Sequence, residues 1–269
     1  MKPSVRRRLL PALILPLLLG SIAGAGCDIV TADLRSEETA SWHKTYQLDA
    51  NGRLEINNVN GKIEVEPSAG NTVDISALKK VRGGSPEAAK AALERATITE
   101  DVTASRIKIE TKVSRMSGIN FGGGNVQVEY RVQVPASAEV KFSTINGGIE
   151  ITGLTGRITA ETTNGGVTTR NVSGPLEAST TNGGLDIDLA RVADGGVKLD
   201  FVNGGLRMRM PRDARATISA TITNGGISAG DLALETTESS RRRLEGRLNG
   251  GGGRIQIGGT NGGITLSGR

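Results

Sequence analysis

Few residues of this chain have side chains suited to covalent catalysis. Its 269 residues include one histidine, His43, and one cysteine, Cys27. A Ser-His-Asp or Cys-His arrangement would have to use His43 as its general base. Cys27, however, closes an N-terminal leader, and His43 falls in a polar segment that we expect to be solvated. The sequence therefore predicts that the protein is not an enzyme.

Other reactive groups give weak signals. Asp186 and Asp188 alternate with apolar residues, so we expect them to face outward on a strand rather than to form a glycosidase pair. The glycine-rich segment 117–125 lacks the Lys-Ser/Thr ending of a phosphate-binding loop. A zinc site needs three or four ligands, and histidine and cysteine occur once each. We predict no catalytic, cofactor-binding or metal site, and no cofactor.

The first 26 residues have the composition of a secretory signal peptide. Basic residues precede an apolar run, Leu9–Leu19, which is shorter than the roughly 20 residues of a membrane-spanning helix. Cys27 follows Gly24-Ala25-Gly26 directly, and this resembles a bacterial lipobox, in which the cysteine is lipidated. The leader predicts a membrane-anchored lipoprotein of the cell envelope, on the periplasmic side or the cell surface. Cleavage after Ala25, giving a secreted soluble protein, is the alternative.

The composition of the remaining chain favours a thin core without large aromatic side chains. Aromatic residues make up only 2% of the sequence, whereas 38 residues are glycine. The excess of basic residues over acidic ones is five, but four basic residues lie in the leader. The exported chain is therefore nearly neutral, and we expect no nucleic-acid partner.

The sequence Asn-Gly-Gly recurs along the chain together with the residues around it. Apolar residues, or an alanine, stand six and four positions before each Asn, and another apolar residue stands three positions after it. Asn249 breaks this register, because Arg243 and Glu245 occupy the apolar positions. The Asn residues in register, with the related Asn60-Gly-Lys, are Asn60, Asn146, Asn164, Asn182, Asn203, Asn224 and Asn261.

This pattern predicts an all-β fold built from repeats. Apolar residues at every second position indicate strands with one buried face, and the two glycines permit a corner between strands. Because each Asn shares the parity of the preceding apolar residues, we expect its side chain to point inward and to bond the next Asn in a ladder. We therefore predict a β-solenoid with Asn-Gly-Gly corners. A meander of β-hairpins, turning at each Asn-Gly, is the alternative.

Three regions follow from these patterns. Residues 1–26 form the signal peptide, 27–45 a tether, and 46–269 the β-strand-repeat domain. A helical insertion is predicted at about 85–96, where Ser85 can cap a run of helix formers. We expect a mobile loop or an imperfect coil between Thr236 and Gly253.

The repeats, the leader with its cysteine and the helical insertion together resemble a bacterial family of β-strand-repeat envelope proteins of unknown function, labelled putative adhesins. The resemblance covers roughly residues 46–269. It implies a β-solenoid-like fold and export, and it supplies no catalytic residues.

We expect a non-enzymatic scaffold or an adhesin-like interaction surface. The alternatives are a polysaccharide-binding or polysaccharide-modifying β-helix and an envelope-stress or signalling accessory. The expected partners are the membrane, through a lipid on Cys27, and an envelope protein or a polysaccharide. Self-association through open ends of the solenoid is also expected.

Overall fold

The structure is a computed structural model that describes residues 36–114 and 125–269. Within these residues it contains eighteen strands and one helix. In chain order they are β1 (Ser36–Gln47), β2 (Arg53–Asn60), β3 (Ile63–Ser68), β4 (Thr72–Gly83), α1 (Pro86–Arg95), β5 (Ala96–Val102), β6 (Arg106–Val113), β7 (Gln127–Pro135), β8 (Glu139–Asn146), β9 (Ile149–Thr152), β10 (Ile158–Asn164), β11 (Val167–Val172), β12 (Leu176–Asn182), β13 (Leu185–Leu189), β14 (Val197–Met210), β15 (Ala216–Ser228), β16 (Leu234–Ser239), β17 (Arg243–Leu248) and β18 (Gly253–Gly268).

Each repeat forms one coil, in which two strands or two halves of a strand meet at the corner. The parts before the corner stack as one parallel sheet, the first sheet, and the parts after it stack as the second sheet. Equivalent residues are in register, so Asn164 lies beside Asn146 on one side and Asn182 on the other. The predicted β-solenoid is confirmed, and the parallel pairing of successive repeats contradicts the hairpin meander.

The inner faces of both sheets contribute to one hydrophobic core. In the coil around Asn164, Ile158 and Ala160 of the first sheet and Val167 of the second sheet are completely buried. These are the positions six and four before the Asn and three after it. Removal of such aliphatic surface from water is the main force that stabilises a thin stacked core.

Antiparallel strands complete the stack at both ends. At one end β5 pairs with β6 in the first sheet, while β7, β4 and β1 extend the second sheet. At the other end, β17 pairs with β15, and β16 pairs with β17. The segment from Thr236 to Gly253, expected to be a loop or an imperfect coil, thus holds most of this antiparallel hairpin.

The predicted tether is wrong from Ser36 onward. Residues 36–47 form β1, which pairs with β4 along its whole length. Ala40, Trp42 and Tyr46 on β1 pack against the core, and this apolar contact explains why the segment is ordered. The polar residues between them hid the alternation in the sequence. Residues 27–35, with Cys27, lie outside the described residues.

The helical insertion occupies Pro86–Arg95, inside the range expected from the sequence. The Ser85 hydroxyl accepts a hydrogen bond from the Ala88 N–H at 3.2 Å and caps the first turn. Ala89, Ala92 and Leu93 form the buried face of the helix, which contacts β1 and β4. The helix therefore holds β1 and β4 on the core.

The stack departs from sequential order near both ends. β2 lies between β6 and β8, and β3 lies between β7 and β9, so the first coil of the chain is the second in the stack. β18 lies between β14 and β15, parallel to both, so the coil of Asn261 separates the coils of Asn203 and Asn224. A solenoid that adds its coils in order would place β15 directly beside β14.

Candidate interaction surface

The strand before each corner turns its side chains outward earlier than the sequence pattern indicates. Thr162 and Thr180 are the last buried residues of their strands, and each hydroxyl donates to a glycine carbonyl of the preceding coil, at 2.9 and 2.8 Å. The next residue, Thr163, is left out of the strand register, and Asn164 follows it on the outside. The expectation that the Asn side chains point inward is therefore wrong, because the irregularity precedes the Asn.

The corner amides nevertheless form a continuous hydrogen-bonded ladder on the surface of the stack. Each Nδ2 donates to the Oδ1 of the Asn in the neighbouring coil. The distances are 3.0 Å from Asn60 to Asn125, 2.6 Å from Asn146 to Asn60, 2.8 Å from Asn164 to Asn146, 2.9 Å from Asn182 to Asn164, 3.0 Å from Asn203 to Asn182, 2.8 Å from Asn261 to Asn203 and 2.9 Å from Asn224 to Asn261.

The ladder contains one Asn that the sequence pattern did not predict, and it excludes Asn249 as that pattern predicted. Asn125, which precedes β7, accepts from Asn60 and extends the ladder by one coil. Sequence reasoning missed it because it is followed by Val126 rather than by glycine. Asn249 stands outside the ladder, as its broken register indicates. Its Nδ2 donates to the carbonyls of Arg212 and Ala214, both at 2.8 Å.

Each amide inside the ladder keeps part of its hydrogen-bonding capacity. A carboxamide has two N–H donors and an oxygen with two lone pairs, and the ladder uses one donor and one lone pair. Backbone bonds hold the corner as well, since the Gly165 N–H donates to the Asn182 carbonyl at 2.9 Å. The corner thus presents a fixed column of amides, with donors and acceptors repeating at the strand spacing of roughly 4.8 Å.

A column of β-branched side chains runs beside the amides, one position before each Asn. Ile145 and Val202 in this column are 49% and 41% exposed, which is unusual for large apolar residues. The column consists of Val59, Ile145, Thr163, Thr181, Val202, Thr260 and Thr223. The amide ladder and this column together are called the corner surface. It combines methyl groups with free amide positions in a regular array.

The outer faces of the sheets are charged but largely neutralised by internal ion pairs. On the second sheet the Lys62 ammonium lies 2.8 Å from Glu150 and 2.7 Å from Glu64. Hydrogen bonds to these two carboxylates raise the pKa of Lys62, and the bond from Lys62 lowers the pKa of Glu64. Most charge on this face is therefore balanced within the molecule.

The two acidic residues considered for glycoside chemistry are also paired with arginines. Asp186 lies 3.3 Å from the Arg170 guanidinium and 3.2 Å from that of Arg209. Asp188 lies 3.1 Å from the Arg269 guanidinium. Their alternation with the buried Leu185 places them on the outer face of β13.

The structure brings His43 together with a serine and an aspartate, which the sequence analysis did not foresee. His43 Nδ1 lies 3.0 Å from Ser76 Oγ, and its Nε2 lies 3.3 Å from Asp74 Oδ2. These are the residue types of a nucleophilic triad, but the cluster lies on an outer strand face with His43 58% exposed. Thr45 also donates to Asp74, at 3.0 Å. Strand pairing with β1 and β7 engages the backbone of β4 on both sides, so this cluster has no preformed oxyanion site.

The described residues hold neither a cluster of metal ligands nor a membrane-spanning helix. Over residues 36–114 and 125–269, no group of three or more His, Cys, Asp or Glu side chains could hold a metal ion. In the same ranges, no helix is long and apolar enough to cross a membrane. Cys27 and the glycine-rich segment, apart from Asn125, lie outside these ranges.

The family model described as Toastrack DUF4097 matches residues 43–267 of the chain. The chain belongs to the Toastrack DUF4097 family. The resemblance to a bacterial family of β-strand-repeat proteins is thereby confirmed, as is the β-solenoid-like Toastrack architecture. A comparison with curated proteins found no match.

Several solved structures are similar to this Toastrack chain at low sequence identity. A "putative cell adhesion protein" from Clostridium sporogenes ATCC 15579 is 12% identical, with 86% of this chain and 100% of that chain covered and a TM-score of 0.46. A "putative adhesin" from Bacteroides fragilis NCTC 9343 is 10% identical, with 86% and 97% covered and a TM-score of 0.37. A "putative lipid binding protein" from Parabacteroides distasonis ATCC 8503 is 12% identical, with 86% and 94% covered and a TM-score of 0.23.

Proposed function

We propose that this Toastrack protein is a non-enzymatic, exported protein of the cell envelope that acts as an adhesin-like interaction surface. The observation that carries the proposal is the corner surface. Its amides are fixed by the ladder from Asn125 to Asn224, and Ile145 and Val202 beside them are exposed. A rigid, regular array of this kind suits an extended partner, because many weak contacts then form together without loss of side-chain freedom.

The chemistry of the corner surface favours a partner with repeating hydroxyl or carbonyl groups. Free amide donors and acceptors recur with each coil, and the methyl groups beside them add apolar contact. The surface carries no charge of its own at these positions, since it consists of Asn, Thr, Val and Ile side chains. An envelope polysaccharide or an extended peptide segment of an envelope protein meets these requirements.

Anchoring is the second part of the proposal. Residues 1–26 act as the signal peptide, and Cys27 carries the lipid that holds the protein at the membrane. The support is the sequence itself, in which a single cysteine directly follows the small residues of the leader. Mass spectrometry of the mature N-terminus, isolated from the native host, tests this. A lipid-modified Cys27 is expected, and an unmodified chain that starts at Gly26 would contradict the anchor.

The interaction surface is tested with charged substitutions that leave the core untouched. Thr163→Glu and Thr181→Glu introduce two negative charges into the corner surface at exposed positions. The matched control, Thr217→Glu with Thr265→Glu, places the same charges at exposed positions on the outer sheet faces. Binding to isolated envelope fractions is measured by co-sedimentation for the wild type and both variants.

We expect the wild type and the control to bind equally and the corner variant to lose at least tenfold in affinity. Equal binding by both variants would contradict the corner surface as the site. Turnover of an envelope polysaccharide by the wild type would contradict the non-enzymatic role.

A further inference from the structure

The strand β18 occupies a slot between two strands that precede it in the chain. On one side β18 pairs with β14, and this register runs from Val197–Ile255 to Met210–Gly268. On the other side it pairs with β15, and that register runs from Ala216–Gly253 to Ser228–Thr265. Both edges of β18 are therefore hydrogen-bonded, and four of its apolar side chains are buried. These are Ile255, Ile257, Ile264 and Leu266.

The slot is shaped for β18 rather than for direct contact between β14 and β15. Two positions before the corner, β14 carries Phe201 and β15 carries Ile222, and both are buried. Between them β18 carries Gly259, and a Cβ on Gly259 would overlap the Phe201 ring. If β15 paired directly with β14, the two large side chains would stand side by side at one position. Ile222 has a Cβ where β18 has none, so direct pairing would force the Phe201 ring out of the place it occupies over Gly259, and β18 fits this slot better than β15 does.

A glycine-rich crossing connects β18 to the rest of the chain. Residues 249–252 lead from β17 over the start of β15 into the slot, and Gly252 passes against the Arg215 backbone. Asn249, Gly250 and Gly251 have φ of 50°, 79° and 87°, in the left-handed region that glycine adopts without strain. Glycine can adopt many other conformations, so Gly250, Gly251 and Gly252 can serve as a hinge once the two hydrogen bonds from Asn249 to the Arg212 and Ala214 carbonyls open.

The far end of β18 is held by a small set of polar contacts at the surface. Asp231 accepts hydrogen bonds from the Arg212 guanidinium and from the Gly268 N–H, at 2.8 and 2.9 Å. The Arg269 N–H donates to the Met210 carbonyl at 3.0 Å. These contacts lie at the edge of the stack, where water can replace them during transient opening.

We propose that β18 is an exchangeable strand, and that the slot between β14 and β15 of one copy accepts β18 from a second copy of this chain. The slot recognises the residues of β18 themselves, chiefly Gly259 between Phe201 and Ile222, and those residues are identical in every copy. Exchange along a glycine-rich hinge replaces each contact by its equivalent in the partner, so it is favoured simply by high local concentration. This inference is independent of the corner surface and of its partner.

Cysteine trapping tests the exchange in the full chain. Every variant carries Cys27→Ser and one new cysteine, Lys198→Cys on β14 or Gln256→Cys on β18. These two residues are exposed and are neighbours in the β14–β18 register. Their Cα separation across paired strands is within disulfide range. The two proteins are mixed, unfolded and refolded together at several concentrations, and then oxidised mildly.

We expect a disulfide-linked dimer of the two variants whose yield rises with concentration, measured on non-reducing gels and by mass spectrometry of the linked peptides. The pair Arg207→Cys and Thr265→Cys, also register neighbours, should give the same result. The control pair, Lys198→Cys with Thr217→Cys, reports random collision, because Thr217 lies on β15.

One chain that carries both Lys198→Cys and Gln256→Cys should form an internal disulfide, which shows that the register is correct. If this internal bond forms while both mixed pairs give no more dimer than the control pair, β18 stays within its own chain and the proposal is overturned.

Discussion

The ring of Phe201 lies against the Cα of Gly259, its neighbour on the adjacent strand. The same position holds threonine in the coils of Thr144, Thr162 and Thr180. Phe201 and Gly259, a large side chain beside none, thus stand together at one of the two places where the stack departs from sequential order. The contact provides a physical reason for that order.

Gly259→Thr should destabilise the protein by about 1–3 kcal/mol, because the new side chain competes with the Phe201 ring for the same space. In a Phe201→Thr background the cost of Gly259→Thr should fall, since the pair then resembles the ordinary coils. Urea unfolding of the wild type, both single variants and the double variant measures the coupling. Costs that simply add would show that the two residues do not share space.

The spacing of buried residues was predictable because burial alone dictates it. Ile158, Ala160 and Val167 are apolar because their positions face the core. The two sheets could therefore be predicted from the alternation of apolar and polar residues. The strand order could not be predicted in this way, because equivalent coils preserve the Asn register in any sequence of stacking. Phe201 and Gly259, which stand where the ordinary coils have threonine, were the available sign of the strand order. They indicate that order only once the two residues are known to be neighbours.

The orientation of the corner amides was predicted wrongly for a local reason. One irregular residue, such as Thr163, shifts the parity of everything after it, and threonine is compatible with either face of a strand. Strand β1 was missed because its inner face is only partly buried and Lys44 interrupts the apolar positions. The triad-like cluster around His43 was missed with it, since the pairing of β1 with β4 brings those side chains together.

The first glycine of each corner should be far less tolerant of substitution than the second. Gly183 has a φ of 159°, and a Cβ there would overlap the Gly165 carbonyl oxygen of the neighbouring coil. Gly183→Ala should therefore cost about 1–3 kcal/mol. A Cβ on Gly184 would lie 3.4 Å from the Gly205 oxygen, an ordinary contact, so Gly184→Ala is the control. Thermal unfolding compares the two, and equal losses would contradict the steric explanation.

The amide ladder should stabilise the stack modestly, because its groups are exposed to water. Asn182→Ala removes two hydrogen bonds. The Asn182 Nδ2 donates to Asn164 at 2.9 Å, and the Asn182 Oδ1 accepts from Asn203 at 3.0 Å. We expect a loss of about 0.5–1.5 kcal/mol in the free energy of unfolding, less than for a buried unsatisfied amide. A double-mutant cycle of Asn182→Ala with Asn203→Ala should give a coupling of about 0.5 kcal/mol or more. The cycle of Asn146→Ala with Asn203→Ala, which are not neighbours, should give none, and equal couplings would argue against pairwise bonds.

Glu55 should make stability depend on pH in the acid range. Its side chain is 14% exposed. Burial tends to raise its pKa, but a 2.9 Å hydrogen bond from Asn57 and the cations Lys108, Arg53 and Arg106 outweigh this and lower it. Because the folded pKa lies below the unfolded one, the contribution is present above the unfolded pKa of about 4.3 and is lost as the pH falls through the folded pKa.

Glu55→Gln should thus cost about 1 kcal/mol at pH 7, and this cost should shrink progressively as the pH falls below the unfolded pKa of about 4.3, as measured by chemical denaturation across the acid range. The exposed Glu94→Gln on helix α1 serves as the control. A cost of Glu55→Gln that does not change with pH would show that the ionised carboxylate is not the source of the stability.

The place of β18 inside the stack also limits how such a protein can change its length during evolution. A duplicated repeat that followed β18 would find both edges of that strand occupied, by β14 and by β15. At the outer sides, β17 pairs with Ala216–Thr221 of β15 at one end and β4 pairs with β7 at the other, so antiparallel strands act as the atypical end units that solenoids require. New coils can therefore enter only among the regular repeats from β8 to β13. The part from β14 to β18 must be inherited as a single piece.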